Sequence, residues 1–226
     1  MADNPGLSPE VLARYKAMFR GTFYRRFVLG EWAAAEGLVY DFFGPELVQP
    51  VPESLDGPWY ISCDYGTVNP TSMGLWGQKG GVWYRTAEFY YDSRKTGRQQ
   101  TDGEYADDLA RLAGGRDIRG VVLDPSAASF REELIRRGWT VYRAENEVLS
   151  GIRRTAELLR AGQLVVCAPC GDAIREFGLY RWDTAATGDR VVKEHDHAMD
   201  DIRYFAVTVA GRRSEGFFAG AVERSG

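Results

Sequence analysis

The stretch Trp59-Tyr60-Ile61-Ser62-Cys63-Asp64-Tyr65-Gly66, read on to Tyr90, decides how this chain folds. Trp59 to Cys63 is an apolar-rich run that ends on an acid, Asp64, and a turn follows over Thr67–Pro70. Thr71 to Gly77 reads as a second strand, Gly80-Gly81 as a hairpin signal, and Val82 to Tyr90 as a third strand. Strands joined by such tight turns predict an antiparallel meander. Asp64 sits where its first strand ends.

Working outward toward the C-terminus, the pattern changes to alternating helix and strand. A helix is expected over 101–113, opened by Thr101 with an acidic first turn. Gly120-Val121-Val122-Leu123 is a short buried strand that again ends on an acid, Asp124. Helices over 126–137 (stopped by Gly138) and 147–161 (stopped by Gly162) alternate with strands at Trp139–Arg143 and Leu164–Val166. Another helix over 170–181, a hairpin over 182–193 turning at Thr187-Gly188-Asp189, and a last helix over 195–210 complete the order. Toward the N-terminus, Ser8, Pro9 and Glu10 open a helix over 8–29, and glycines and prolines punctuate 30–57. The division is a lead-in over 1–57, an α/β domain over 58–213 and a polar tail over 214–226. A meander followed by βα units predicts a mixed sheet with helices on both faces. Ribonuclease H-like folds have this arrangement, and other mixed α/β folds share the string.

Composition agrees with a globular domain: 226 residues, 44% hydrophobic, 13% aromatic and 27% charged. It excludes disordered, collagen-like and disulfide-scaffold classes. No apolar run approaches the roughly 20 residues of a membrane span, and MADNPGLSPE has no signal-peptide pattern. A cytoplasmic location is the expectation. The net charge of −4 argues against binding nucleic acid by bulk charge. Cys63, Cys167 and Cys170 are read as buried or half-buried thiols, since a lone CxxC lacks the second ligand pair a zinc site needs.

Three groups of residues carry chemistry. Asp64 and Asp124 each follow a strand, and neighbouring strands lie about 4.8 Å apart, so acids at their ends can converge. The third group is Lys193-Glu194-His195-Asp196-His197-Ala198-Met199-Asp200-Asp201. Crowded carboxylates repel one another unless a cation holds them, and oxygen-rich sites with an occasional imidazole suit Mg²⁺ or Mn²⁺. Two such ions about 4 Å apart can activate water and steady the leaving oxygen of a phosphodiester. Ser126 is read as a helix cap. Arg131, Arg136, Arg137, Arg153 and Arg154 are read as a solvated face or, alternatively, a DNA path.

These residues resemble a family, the nuclease domain of the large terminase subunits of tailed bacteriophages. The likeness runs through Phe27–Trp32 with Glu36–Tyr40, Asp64-Tyr65-Gly66 with Asn69-Pro70-Thr71, and Asp124-Pro125-Ser126-Ala127-Ala128. It continues through Asn146-Glu147-Val148, Gly151-Ile152, Glu176, Tyr180-Arg181-Trp182, Lys193-Glu194, Asp196–Asp200 and Arg203-Tyr204. The resemblance implies a ribonuclease H-like fold and a two-metal endonuclease cutting concatemeric phage DNA. It implies Mg²⁺ or Mn²⁺ on Asp64, Asp124 and Asp200, with His197 joining the site and Asp196 a further candidate. Asp201 departs from the family pattern, where a small residue usually follows the acid, so Asp200 and Asp201 stay alternatives for the third ligand. Lys193 belongs at the rim, either on a phosphate or solvated, and the 182–193 hairpin is placed to gate DNA.

The expected partners are double-stranded DNA, the terminase ATPase domain or subunit, the small terminase subunit and the portal protein, in the cytoplasm of an infected host. No GxxxxGK[ST] pattern occurs, so no ATPase activity is expected of this chain. Low sequence specificity is expected, because no base-reading motif stands out. The alternatives are another ribonuclease H-like nuclease, acting on junctions or RNA–DNA hybrids, and a non-catalytic portal-docking module.

Overall fold

A computed structural model describes residues 37–211. The helix expected over 8–29, the block Phe27–Trp32, Glu36 and the tail over 214–226 lie outside the described residues.

The meander forms as expected. Strands β2 (Trp59–Asp64), β3 (Thr71–Lys79) and β4 (Val82–Tyr91) pair antiparallel, and Gly80 and Gly81 take the positive φ values of 57° and 82° that the β3–β4 turn needs. Strands β5 (Ile118–Leu123) and β6 (Val141–Arg143) add in parallel beyond β2. Strand β7 (Leu164–Cys167) adds in parallel beside β4, and β1 (Val48–Gln49) beside β7. The sheet order is β1-β7-β4-β3-β2-β5-β6, a mixed sheet.

Alternation of side chains gives this sheet two cores. Ile61, Cys63, Met73, Leu75, Val121 and Leu123 point to one face, where helices α1 (Asp102–Ala113) and α2 (Ala128–Arg136) cover them. Trp76, Trp83 and Val166 point to the other, under α3 (Val148–Arg160), α4 (Gly171–Phe177) and α5 (His197–Phe205). Helix α1 begins with the capping box that Thr101 and Glu104 suggest, each satisfying the other's backbone N–H. On the second face Phe205 stacks on Trp76 with ring centroids 4.2 Å apart.

Several boundaries differ from expectation. Part of the irregular lead-in belongs to the sheet: β1 is two residues long between Pro45 and Pro50, too short for any periodicity to reveal. Ahead of it, Tyr40 and Phe43 are buried, and Phe43 stacks on Phe177 at 3.8 Å. Helix α4 stops at Phe177 rather than at 181, because the following chain is drawn off to pair Arg181 with Leu38. The 182–193 segment closes through a single bridge, Trp182 with Val191, not through a full ladder. The last helix is α-helical from His197 to Phe205 and continues as a π-helical turn over Ala206–Ala210. All three thiols are buried; those of Cys167 and Cys170 are directed at the carbonyls of Pro50 and Arg85, and burial pushes the Cys167 thiol up to about 12.

Helix α5 is fixed to the sheet by charge as well as by packing. Asp201 and Arg85 are both fully buried, and the guanidinium meets the carboxylate with two nitrogens, Nη2 at 3.0 Å. The hydroxyls of Ser62 and Ser72 donate to the same carboxylate, Ser62 at 2.9 Å. These are polar residues in central strands, and Asp201 is their reason. Gly74 is the gap in β3 through which Arg85 reaches: a Cβ there would overlap its guanidinium. The guanidinium cannot swing aside without leaving Asp201. Gly74→Ala is therefore expected to destabilise the protein by about 1–3 kcal/mol, the usual range for overpacking. The check is a lower urea midpoint at unchanged slope; a wild-type midpoint would refute it.

Candidate active site

The parallel pairing of β2 with β5 sets Cys63 beside Leu123, and the Asp124 N–H donates to the Cys63 carbonyl at 3.2 Å. Asp64 and Asp124 thus emerge from adjacent strand ends, as their positions after two strands predict. Asp124 lies in a local turn: its Oδ1 accepts the Ser126 N–H and its Oδ2 the Ser126 hydroxyl, each at 2.9 Å. This corrects the reading of Ser126 as a helix cap. Helix α2 starts at Ala128 with Ala127 at its N-cap and no side-chain cap bond, and Ser126 instead orients Asp124.

Helix α5 brings in the third group. Asp196 stands at its N-cap without capping it. Glu176, from α4, takes that part: its Oε2 accepts the Ala198 N–H at 2.7 Å while Oε1 accepts the Tyr90 hydroxyl at 2.6 Å. With the helix start so held, His197 Nδ1 lies 2.9 Å from Asp64 Oδ2. Asp200 Oδ1 accepts from Arg203 at 2.9 Å, and its Oδ2 lies 3.3 Å from Lys193 Nζ. The same ammonium is 3.3 Å from Asp196 Oδ2.

Successive helical residues point about 100° apart, from 3.6 residues per turn. Asp200 therefore lines the cleft while Asp201 faces the sheet and Arg85. The alternative left open between these two acids is resolved in position: Asp201 is not at the cleft, because it is consumed by a buried ion pair.

Asp64, Asp124, Asp196, His197, Asp200 and Lys193 all line one cleft of about 860 Å³. Burial pushes the Asp64 carboxyl up to about 7, and the carboxylates of Asp200 and Asp124 add to this against the hydrogen bond from His197. Burial works against charge on His197, but Asp64 outweighs it and holds the imidazole above its usual range. Lys193 is likewise held up by Asp200 and Asp196 against burial.

This donor set fits a hard divalent cation. It is carboxylate-rich, one carboxylate is strongly disfavoured as an anion without a partner, and an ammonium already sits between two others. Among the described residues, no three His, Cys, Asp or Glu side chains are gathered around one point as a finished cage. Their oxygens are instead directed to His197, Lys193, Arg203 and Ser126.

The roles of several participants escaped the sequence reading, although Arg203-Tyr204 is among the residues that carry the resemblance. Arg203 stands three residues after Asp200 on one helix face, a spacing that does signal a pair. Arg85 lies 116 residues from Asp201, and no local pattern announces it. Tyr204 is buried at the cleft wall, and after burial itself the fields of Asp64, Asp200 and Asp124 raise its hydroxyl further. Arg131, Arg136 and Arg137 do not line the cleft; they pair with Glu132, Glu133 and Asp107 on the surface.

A mixed sheet of this order, with acids at two adjacent strand ends and a further acid on the last helix across them, is a ribonuclease H-like architecture. The large terminase of a thermophilic bacteriophage, solved in complex with ADP, matches at 43% identity and a TM-score of 0.74, over 92% of this chain and 54% of that one. The chain belongs to the large-terminase family of bacteriophages, and its fold is the one solved for the nuclease domains of such terminases. It spans about half the length of that terminase. The nuclease domain of the phage P22 large terminase matches with a TM-score of 0.61 at 18% identity, over 76% of this chain and 92% of that one. The large terminase nuclease of thermophilic phage G20c, solved with bound magnesium, matches with a TM-score of 0.58 at 16% identity, over 77% and 98%. At these identities the last two speak for the fold alone. No family model and no curated protein matches the sequence.

The positions of the two adjacent acids have unequal consequences. Asp201→Asn strips a buried guanidinium of its counter-charge and is expected to lose about 3–5 kcal/mol of stability. Asp200→Asn also takes the counter-charge from the buried Arg203, but it keeps an oxygen for that guanidinium and relieves crowding in the cleft, so it is expected to lose less, about 1–2 kcal/mol. Urea titrations of the two variants decide it; equal midpoints would contradict the placement.

Proposed function

We propose that this chain is the nuclease of a phage DNA-packaging motor, a metal-dependent endonuclease that cuts concatemeric duplex DNA. The observation that carries the reading is the convergence of Asp64, Asp124, Asp200 and His197 in one cleft, in a chain 43% identical to a large terminase. The solved G20c nuclease with magnesium supports a divalent ion in such a fold.

In this reading Asp64, Asp124 and Asp200 would hold two Mg²⁺ or Mn²⁺ ions, with Asp196 a further oxygen donor at the edge. Once bound, the ions supply an activated water and charge stabilisation for the leaving oxygen of the phosphodiester. Asp64 is as buried as Asp200, its carboxyl is raised by the carboxylates of both Asp200 and Asp124, and it would be the ligand that the ions share. His197 holds the Asp64 carboxylate in place through its Nδ1, and Ser126 does the same for Asp124. Arg203 restrains Asp200 from behind. Lys193 is free to exchange its two carboxylates for a phosphate at the rim, since its side chain is 61% exposed.

The 182–193 segment adjoins the cleft through Lys193 and gates the approach of DNA. Site choice and timing come from the ATPase part of the motor, the small terminase subunit and the portal, in the cytoplasm of the infected host. The chain itself reads no base sequence and hydrolyses no ATP.

Supercoiled plasmid tests this directly. Nicking and linearisation are expected with Mn²⁺ or Mg²⁺, and none with EDTA or in an Asp124→Asn variant that retains its fold. Binding also registers without catalysis: Mn²⁺ at a hundred times its Kd stabilises a single-site protein by about 2.7 kcal/mol. The melting temperature is expected to rise with Mn²⁺ in the wild type and to stay flat in Asp64→Asn. A folded wild type that neither cleaves nor shifts with any metal overturns the reading.

A further inference from the structure

The cleft that holds the acids has a second, cationic side. Arg94, Lys95, Arg175 and His195 line it together with Asp64, Asp124 and Asp200. We propose that these four residues form a phosphate-gripping subsite, which holds the DNA backbone beside the phosphodiester being cut. The inference rests on the nuclease reading and adds to it the residues that seat the strand.

Each member is positioned. Arg94 and Lys95 lie on a single helical turn, Ser93–Thr96. Asp92 caps that turn by accepting the Arg94 N–H at 3.1 Å, and Gly97 closes it with a φ of 69°. The Ser93 hydroxyl donates to the Val68 carbonyl at 2.9 Å, which fixes the turn to the loop after β2. The backbone is therefore held, while the two side chains remain 61% and 71% exposed.

Arg175 is the opposite case, only 14% exposed. Its guanidinium lies over the Tyr90 ring at 5.4 Å and is braced by Asp172 at 3.2 Å and Glu176 at 3.6 Å. That leaves Nη1 directed at His195 Nδ1, 3.5 Å away. With Nδ1 accepting, the imidazole proton lies on Nε2, available to a phosphate oxygen. His195 is the one non-glycine residue with positive φ among the described residues, at 55°. Such strain persists where surrounding structure imposes it, and it gathers at binding sites.

The acids nearby do not cancel this side. Asp172 braces Arg175, Glu176 is fully buried on the Ala198 N–H, and Asp92 caps the turn. Glu194 is an exposed acid beside His195, and Asp92 lies 3.8 Å from Arg94 and 3.4 Å from Lys95, so against these two carboxylates stand the exposed Arg94 and Lys95 and the braced Arg175. A protein of net charge −4 cannot hold a polyanion by its overall field, so a local set of donors is what DNA can use.

Each phosphate contact contributes about 0.9 to the slope of log K against log salt on duplex DNA. The test uses a fluorescent duplex in Ca²⁺, with binding read by anisotropy across a salt series. The double variant Arg94→Ala/Lys95→Ala is expected to bind more weakly at low salt, with a slope shallower by about 2. The control Arg131→Ala/Arg136→Ala removes equal charge away from the cleft and is expected to match wild type. A slope unchanged in the first variant, or reduced equally in the control, overturns the subsite. If plasmid is still cut with wild-type salt dependence by the first variant, the subsite falls and the nuclease reading stands. If the wild type neither binds DNA nor cuts plasmid, both fall.

Discussion

The structure turns on the buried pair of Arg85 and Asp201. Two opposite charges, both removed from water, need near-complete hydrogen bonding to be tolerated. The chain supplies it from three strands: Arg85 on β4, Ser72 on β3 and Ser62 on β2, with Trp76 Nε1 donating onward to Ser62 Oγ at 2.8 Å. One carboxylate on α5 is thereby tied to the centre of the sheet. The Phe205–Trp76 stack fixes the same helix one turn further on. A helix held at two points can neither slide nor rotate. The side chain next to Asp201 is then aimed without adjustment, and that side chain is Asp200.

The cleft shows the other half of this logic. Carboxylates set close together raise one another's energy, and here the protein meets that cost with its own cations. Lys193 sits between Asp196 and Asp200, Arg203 lies behind Asp200, and His197 is on Asp64. The two basic groups behave differently. Arg203 is almost wholly buried, donates also to the Glu147 carbonyl at 3.2 Å, and occupies space that Gly151 leaves open, so it is a fixed brace. Lys193 is largely exposed on a flexible stem, so it is an exchangeable partner.

Much of this was legible in the chain, and the limits follow the range of the interactions. The meander was readable because its turns are local: Gly80-Gly81 has to be glycine where φ is positive. Asp64 and Asp124 were readable because each ends an apolar strand, and the parallel pairing of β2 with β5 then brings them together. The choice between Asp200 and Asp201 was not readable, because helix periodicity left both off the apolar stripe and the deciding partner is Arg85, on a distant strand. Strand β1 was missed because two residues carry no period. Ser126 was misread because a serine after Asp-Pro can cap a helix or bond back to the aspartate, and only the backbone path selects between them.

For the nuclease proposed above, an acidic protein acting on an acidic polymer is a contradiction only if charge is averaged over the molecule. Screening limits each charge to about 8–10 Å at physiological salt. Under the proposed reading, what a DNA strand would meet is the local pattern of one cleft: carboxylates that call for cations, and basic side chains set beside them. The arginines at the end of α2 show the contrast, since Arg136 pairs with Glu133 and Arg137 with both Glu133 and Asp107, two carboxylates for two arginines. In the cleft, Arg94 and Lys95 share a single aspartate, Asp92, which also caps their own turn. The same residue types are therefore neutral surface in one place and, in the proposed subsite, a seat for phosphate in the other, and the difference lies in how many carboxylates the fold sets beside them.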